Sequence, residues 1–104
     1  MTTISEFRPE DYLNNEEDIA DYLNAALEEA NEFDDPRQGA AFFAREVGVA
    51  ARARKKVTDI ANDTQCTRQG IYKSLSAQGD PAFSTILSAI HALGGQLTVT
   101  IPAR

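Results

Sequence analysis

The chain has 104 residues, 42% hydrophobic and 25% charged, which fits one small domain and excludes both two conventional cores and a large enzyme. A single cysteine, Cys66, and a single histidine, His91, exclude an intrachain disulfide framework, a CxxC metal knuckle and an imidazole cluster. The formal net charge of −6 hides an asymmetry, because residues 1–36 carry twelve acidic side chains against Arg8 alone (−11), while residues 37–104 carry nine basic against four acidic (+5). An acidic arm beside a basic body suits a chain whose halves address partners of opposite charge, the plainer account of the arm being a solvated helix face.

No apolar run approaches the roughly 18 residues of a membrane span, and the start MTTISEFRPEDYL lacks the basic region and apolar core of a signal peptide. A soluble cytoplasmic protein without membrane contacts is expected. Residues 1–14 read as an extended segment anchored by Ile4, Phe7, Tyr12 and Leu13, since Pro9 opposes a helix there. Asn14 or Asn15 can cap a first helix whose opening turn holds Glu16, Glu17 and Asp18 at the positive end of its dipole. Its apolar stripe, Ile19, Leu23, Ala26, Leu27, Ala30 and Phe33, carries the helix to about Phe33 and leaves the rest of its surface acidic.

Asp35-Pro36 supplies the cap and first helical residue of a second helix, rich in alanine and weakened at Gly48, which closes on the basic run Arg52, Arg54, Lys55 and Lys56. A short helix over 58–63 turns Ile60 and Ala61 inward. Thr67 can cap another, with Ile71 and Leu75 four apart on one face. Asp80-Pro81 repeats the cap device before a last helix with the stripe Phe83, Ile86, Leu87, Ile90 and Leu93, closed by Gly94-Gly95. The period then changes to two, with Leu97, Val99 and Ile101 on one face, so residues 96–104 read as one short strand. A lone strand would recruit its counterpart from a second chain or pair with a partner's sheet, making Leu97, Val99 and Ile101 a candidate homodimer seam; a frayed terminus is the alternative. The division expected is an acidic arm and helix over 1–36, a helical core over 37–95 and a terminal strand over 96–104.

The stretch from Val57 to Leu75 carries the functional signal. Two short helices joined by a tight turn need a small residue in the first (Ala61), an apolar plug after the turn (Cys66) and an apolar anchor in the second (Ile71), all at the spacing of a helix-turn-helix. With Ile71 and Leu75 inward, the second helix offers Arg68, Gln69, Tyr72 and Lys73 for base edges, Thr67 suits a phosphate, and Arg52, Arg54, Lys55 and Lys56 suit phosphate neutralisation. A bundle without DNA contacts can also place Ala and Ile in this way.

Downstream, Gly79 to Leu87 and Ala92-Leu93-Gly94 resemble the region after the recognition helix of lambda-repressor-like regulators. Together with Phe7, Tyr12-Leu13, Ile19 to Leu23, Ala26-Leu27-Glu28, Val49 to Arg54 and Ile71 to Leu75, they make the chain similar to the probable addiction-module antidote family, HigA-like antitoxins of type II toxin-antitoxin pairs. The resemblance runs from about Phe7 to Val99. It implies a mostly α, lambda-repressor-like bundle of about five helices that neutralises a small RelE/ParE-type (HigB-like) toxin and represses its own operon as a homodimer on operator DNA. Two positions depart from the pattern: Gln65 stands where the turn favours glycine, and Gly70 interrupts the recognition helix.

RelE-type toxins bind RNA and as a class present basic clefts. The acidic arm is therefore expected to cover such a cleft, with Phe7, Tyr12, Leu13 and Tyr22 as apolar anchors and Glu16 and Glu17 beside them. No enzyme activity and no cofactor are expected, because Cys66 reads as a buried plug, His91 as a structural or surface residue, and no carboxylate pair meets a basic or metal-binding partner. The alternatives are a stand-alone phage-type repressor without a toxin, and an interaction module whose helix-turn-helix no longer binds DNA.

Overall fold

The computed structural model describes residues 13–76 and 79–102. Five helices follow one another: α1 (Glu16–Asn31), α2 (Pro36–Ala53), α3 (Val57–Thr64), α4 (Arg68–Ser74) and α5 (Phe83–Ala92). Their starts follow local chemistry. The Asn15 side chain accepts the Asp18 N–H at 2.8 Å, Asp35 accepts the Arg37 N–H at 2.9 Å ahead of Pro36, and Thr67 accepts the Gly70 N–H at 3.0 Å.

One apolar cluster joins all five helices. In α2, Val47, Ala50 and Ala51 are fully buried, and their small size lets neighbouring helices approach closely. The acidic helix α1 packs against α2 through Ile19, Leu23 and Ala26, and the two rings of Phe33 and Phe42 meet at 5.6 Å beside the turn between them. Below them α3 rests on α5 and α4, with Ile60, Ile71, Leu75 and Ala89 closing the centre. The Ser88 hydroxyl donates to the Asp63 carboxylate at 2.7 Å, tying α5 to α3. None of these helices is long and apolar enough to cross a membrane, among the described residues.

Three helices end alike. An N–H reaches back five residues across a left-handed residue: Lys56 to the Ala51 carbonyl over Lys55 (φ 57°), Cys66 to Ala61 over Gln65 (φ 58°), and Gly95 to Ile90 over Gly94 (φ 90°). This is the hydrogen-bond pattern that glycine usually serves, and only the last of the three uses it.

Several expectations are corrected. The C-terminal strand is absent among the described residues: the segment after α5 runs without helix or ladder, Leu97 leans on the core, and Val99 and Ile101 stand 83% and 85% exposed. Period-two patterning makes a strand only where a neighbour accepts its hydrogen bonds, and among the described residues there is none. Asp80-Pro81 does not cap α5, whose N-cap is Ala82 without a side-chain bond; the helix begins two residues later, so Phe83 projects from the end of the stripe, 66% exposed. Helix α1 stops at Asn31, short of Phe33.

Candidate functional site

The connection between α3 and α4 is three residues long. Gln65 adopts the left-handed conformation (φ 58°, ψ 36°) without glycine's freedom, and this reverses the chain so that α4 starts at once from its Thr67 cap. The same reversal corrects the reading of Cys66. Its N–H returns to Ala61 at 2.8 Å while its thiol points out, 3.5 Å from the Thr64 carbonyl, and the residue is exposed. Ala61, Ile71 and Leu75 fill the space between the helices without it.

With Ile71 and Leu75 buried, the opposite face of α4 presents Arg68, Gln69, Tyr72 and Lys73, all exposed. Arg68 and Tyr72 lie one turn apart and act as a unit: the guanidinium sits 6.0 Å from the ring centroid and 3.4 Å from the phenol oxygen. Tyr72 therefore belongs to the outer face and not to the core. Gly70 is exposed as well, and its N–H is held by the Thr67 hydroxyl.

The four basic residues at and just after the end of α2 do not share one role. Arg52 is exposed and its guanidinium extends toward the contact of Gly48 with Leu75 at the end of α4. Lys55 is exposed in its left-handed turn. Lys56 faces Asp59 at 3.9 Å, and Arg54 turns the other way, donating to the Asn14 carbonyl at 2.6 Å. Among the described residues Arg52 and Lys55 are thus the members whose side chains make no ion pair or hydrogen bond, while Arg54 is a strut between α2 and the entry to α1.

The expected toxin anchors separate similarly. Phe7 and Tyr12 lie outside the described residues. Leu13 is a core residue, 4% exposed, and Tyr22 is half-buried against α2, where its hydroxyl donates to the Glu46 carboxylate. Tyr22, at helical spacing from Ile19 and Ala26, is drawn into the same seam, and Leu13, ahead of the helix, joins the core cluster, so neither stands as an outward anchor. The acidic side chains remain outward: Glu16, Glu17, Asp21, Glu28, Glu29 and Glu32 are all exposed, and no basic residue interrupts 13–36. His91 is exposed in the last turn of α5. Among the described residues no three His, Cys, Asp or Glu side chains converge as metal ligands.

Sequence reasoning missed a groove of about 870 Å³ between the α1–α2 turn, the approach to α5 and the terminal segment. Its signal was present in Phe83 and Val99, which patterning assigned to a helix stripe and a strand face.

A family model described as probable addiction module antidote protein matches residues 3–101 of the chain. An uncharacterized protein of Haemophilus influenzae is 34% identical over 96 residues, which span 92% of this chain and 90% of that protein. No solved structure matches.

Proposed function

The chain belongs to the family of probable addiction module antidote proteins, and from that premise we propose that it is the antitoxin of a type II toxin-antitoxin pair. It neutralises a small basic toxin of the RelE/ParE (HigB-like) class and binds operator DNA as a homodimer to repress its own operon. Binding, not catalysis, is the activity assigned, exercised in the cytoplasm and without a cofactor. The observation that carries the DNA half is the face of α4, where Arg68, Gln69, Tyr72 and Lys73 are exposed together, opposite a buried Ile71. Arginine and glutamine are side chains that read guanine and adenine in the major groove, and two short helices with a three-residue connection suit a lambda-repressor-like helix-turn-helix.

The toxin half rests on family membership and on charge. The outer surface of α1 carries exposed carboxylates with no compensating base in its sequence neighbourhood, a surface that attracts a basic, RNA-binding partner. The same surface repels DNA, so a toxin seated on it strengthens operator binding by neutralising the charge.

Co-expression with a neighbouring small basic open reading frame tests the reading. Deleting residues 1–36 is a poor probe, because Leu13, Ile19, Leu23 and Ala26 belong to the core. The informative variant combines Glu17→Gln, Asp21→Asn, Glu28→Gln and Glu29→Gln, all at exposed positions. Growth rescue and co-purification by the parent chain, both weakened in this variant, are expected. A harmless neighbour that never co-purifies removes the toxin and leaves a stand-alone repressor; absence of salt-dependent binding to the DNA upstream of the gene removes the operator.

A further inference from the structure

The groove of about 870 Å³ does not stand alone. A smaller hollow of about 150 Å³ lies beside the first half of α1, and Leu27, Phe43 and Leu97 line both. The two therefore form one apolar trough along the flank of α1, a helix about 24 Å long at 1.5 Å per residue. Helix α1 is one lip of the trough and the segment after α5 is the other.

The lips differ in charge. On α1 the exposed residues Ala20, Asn24 and Asn31 line the trough, and each follows an exposed carboxylate by three positions: Glu17, Asp21 and Glu28. Residues three apart are neighbours on a helix surface, so these carboxylates form a row directly outside the lip. The facing lip, residues 94–99, carries no charged side chain. Charged groups in the lining itself are Glu16, Arg37 and Asp80, and Arg37 lies 3.6 Å from the Asp35 carboxylate. An apolar floor with an acidic border on one side matches a segment whose apolar stripe is flanked on one side by lysine or arginine. A neutral ligand would leave the row unused, and a nucleic acid or a second α1 would be repelled by it.

We propose that the trough seats a cationic amphipathic helix of the partner protein, lying along α1 with its apolar stripe against Leu27, Phe43 and Phe83 and its basic edge on Glu17, Asp21 and Glu28. A helix satisfies its own backbone hydrogen bonds and so needs none from an apolar wall, and it presents side chains once per turn, the repeat at which these carboxylates are set. The inference rests on the reading of the partner as a basic toxin and deepens it: charge attracts the toxin to α1, and apolar burial in the trough holds it there.

Titration of the full chain with a synthetic peptide tests the trough without the toxin. The probe is a capped helix of about sixteen residues, long enough to run beside α1, built of leucine, alanine and lysine with the leucines in one stripe. Its controls are a scrambled isomer of the same composition and a counterpart with glutamate for lysine. Both controls are expected to bind about tenfold more weakly or worse. Phe83→Ser combined with Ala40→Gln, which alters the wall without altering charge, is expected to weaken the probe about tenfold at low and high salt alike; Asp21→Asn with Glu28→Gln is expected to weaken it at low salt only. Gln69→Ala on α4 leaves binding unchanged. All these positions are exposed, and unchanged helical circular dichroism verifies that the variants fold. A scrambled isomer that binds as well as the probe, or binding indifferent to the Phe83 and Ala40 pair, overturns the proposal and leaves attraction by charge alone. The same pair is then carried into co-purification with the neighbouring basic protein, where capture at the parent level also overturns it while the antitoxin reading stands. A neighbour that the parent chain never captures removes the toxin instead, and the peptide titration still decides whether the trough takes a cationic helix.

Discussion

The guanidinium of Arg54 donates a 2.6 Å hydrogen bond to the backbone carbonyl of Asn14, joining the end of α2 to the entry of α1 across forty positions of sequence. The bond fixes the residue just before the Asn15 cap and so holds the acidic helix in its seat. In a run of four basic side chains, it separates a structural arginine from its neighbours. Arg54→Ala is expected to lower stability by about 1 kcal/mol, the modest figure reflecting an exposed bond, without changing the salt dependence of duplex binding. Arg52→Ala is expected to do the reverse, leaving the melting temperature in place and reducing the slope of log Kobs against log salt by about 0.9 if Arg52 meets one phosphate. Thermal melts and salt titrations of the two variants check the division, and equal slopes in both would remove Arg52 from the interface.

Tyr22 donates its hydroxyl to the partly buried Glu46 carboxylate between α1 and α2. Tyr22→Phe keeps the ring packed but removes the donor, which is expected to destabilise the fold by about 1–2 kcal/mol as the carboxylate loses a partner. Because the residue faces α2, toxin capture at a temperature where the variant is folded is expected to remain at the parent level. A selective loss of capture would restore Tyr22 as a contact residue.

The helices and most of their caps were legible in the sequence because they are local: Asn15, Asp35-Pro36 and Thr67 act within three or four residues of themselves. The outward set Arg68, Gln69, Tyr72 and Lys73 was legible for the same reason, since the positions of Ile71 and Leu75 fix the other face of a short helix. Apart from the local misreadings of Cys66 and of the Asp80-Pro81 cap, what failed depended on distant partners. The strand at Leu97 to Ile101 needed a neighbour, the anchors Leu13 and Tyr22 were claimed by α2 and the core, and Arg54 was claimed by Asn14. The resemblance to an antidote family located the chain among its relatives, yet it could not distribute these side chains between core and surface.

Cys66 and Ile71 are five positions apart and differ completely in exposure. Cys66→Ser is expected to change stability by less than about 0.5 kcal/mol, as for an exposed substitution without a special role. Ile71→Ala, at a side chain 1% exposed, is expected to cost about 2–5 kcal/mol through lost burial and a residual cavity. Urea unfolding of both variants measures the contrast. A severe defect in Cys66→Ser would reinstate the buried plug.

Gln65 and Lys55 occupy left-handed positions at φ 58° and 57°. A side chain there costs about 1–2 kcal/mol, while glycine brings back about 0.5–1 kcal/mol of unfolded-state entropy. The balance favours glycine slightly, so Gln65→Gly and Lys55→Gly are each expected to stabilise the fold by up to about 1 kcal/mol, or about 4–8 °C in melting temperature at the upper end. Gly94→Ala is expected to destabilise, because φ is 90° and the new Cβ would meet the Glu16 carboxylate. Melting curves that move in the opposite order would mean that side-chain contacts of Gln65 or Lys55 outweigh the backbone term.

Gly48 looks like a weakness inside α2, since replacing glycine by alanine within a helix ordinarily gains about 1 kcal/mol. The fold gives it a reason. A Cβ there would lie 2.5 Å from the Leu75 carbonyl oxygen and 3.0 Å from the Leu75 Cβ, so the residue is where α2 and the end of α4 touch. Backbone cannot yield as a flexible side chain can, and overpacking of this kind costs about 1–3 kcal/mol. The clash outweighs the propensity gain, and Gly48→Ala is expected to be destabilising by about 1 kcal/mol or more. It is also expected to shift α4 relative to α2 and so to lower duplex affinity more than it lowers toxin capture, because the acidic face of α1 is remote from the displaced contact. Chemical denaturation read beside the two binding assays checks this ordering, and a stabilised Gly48→Ala with unchanged DNA binding would refute the close contact.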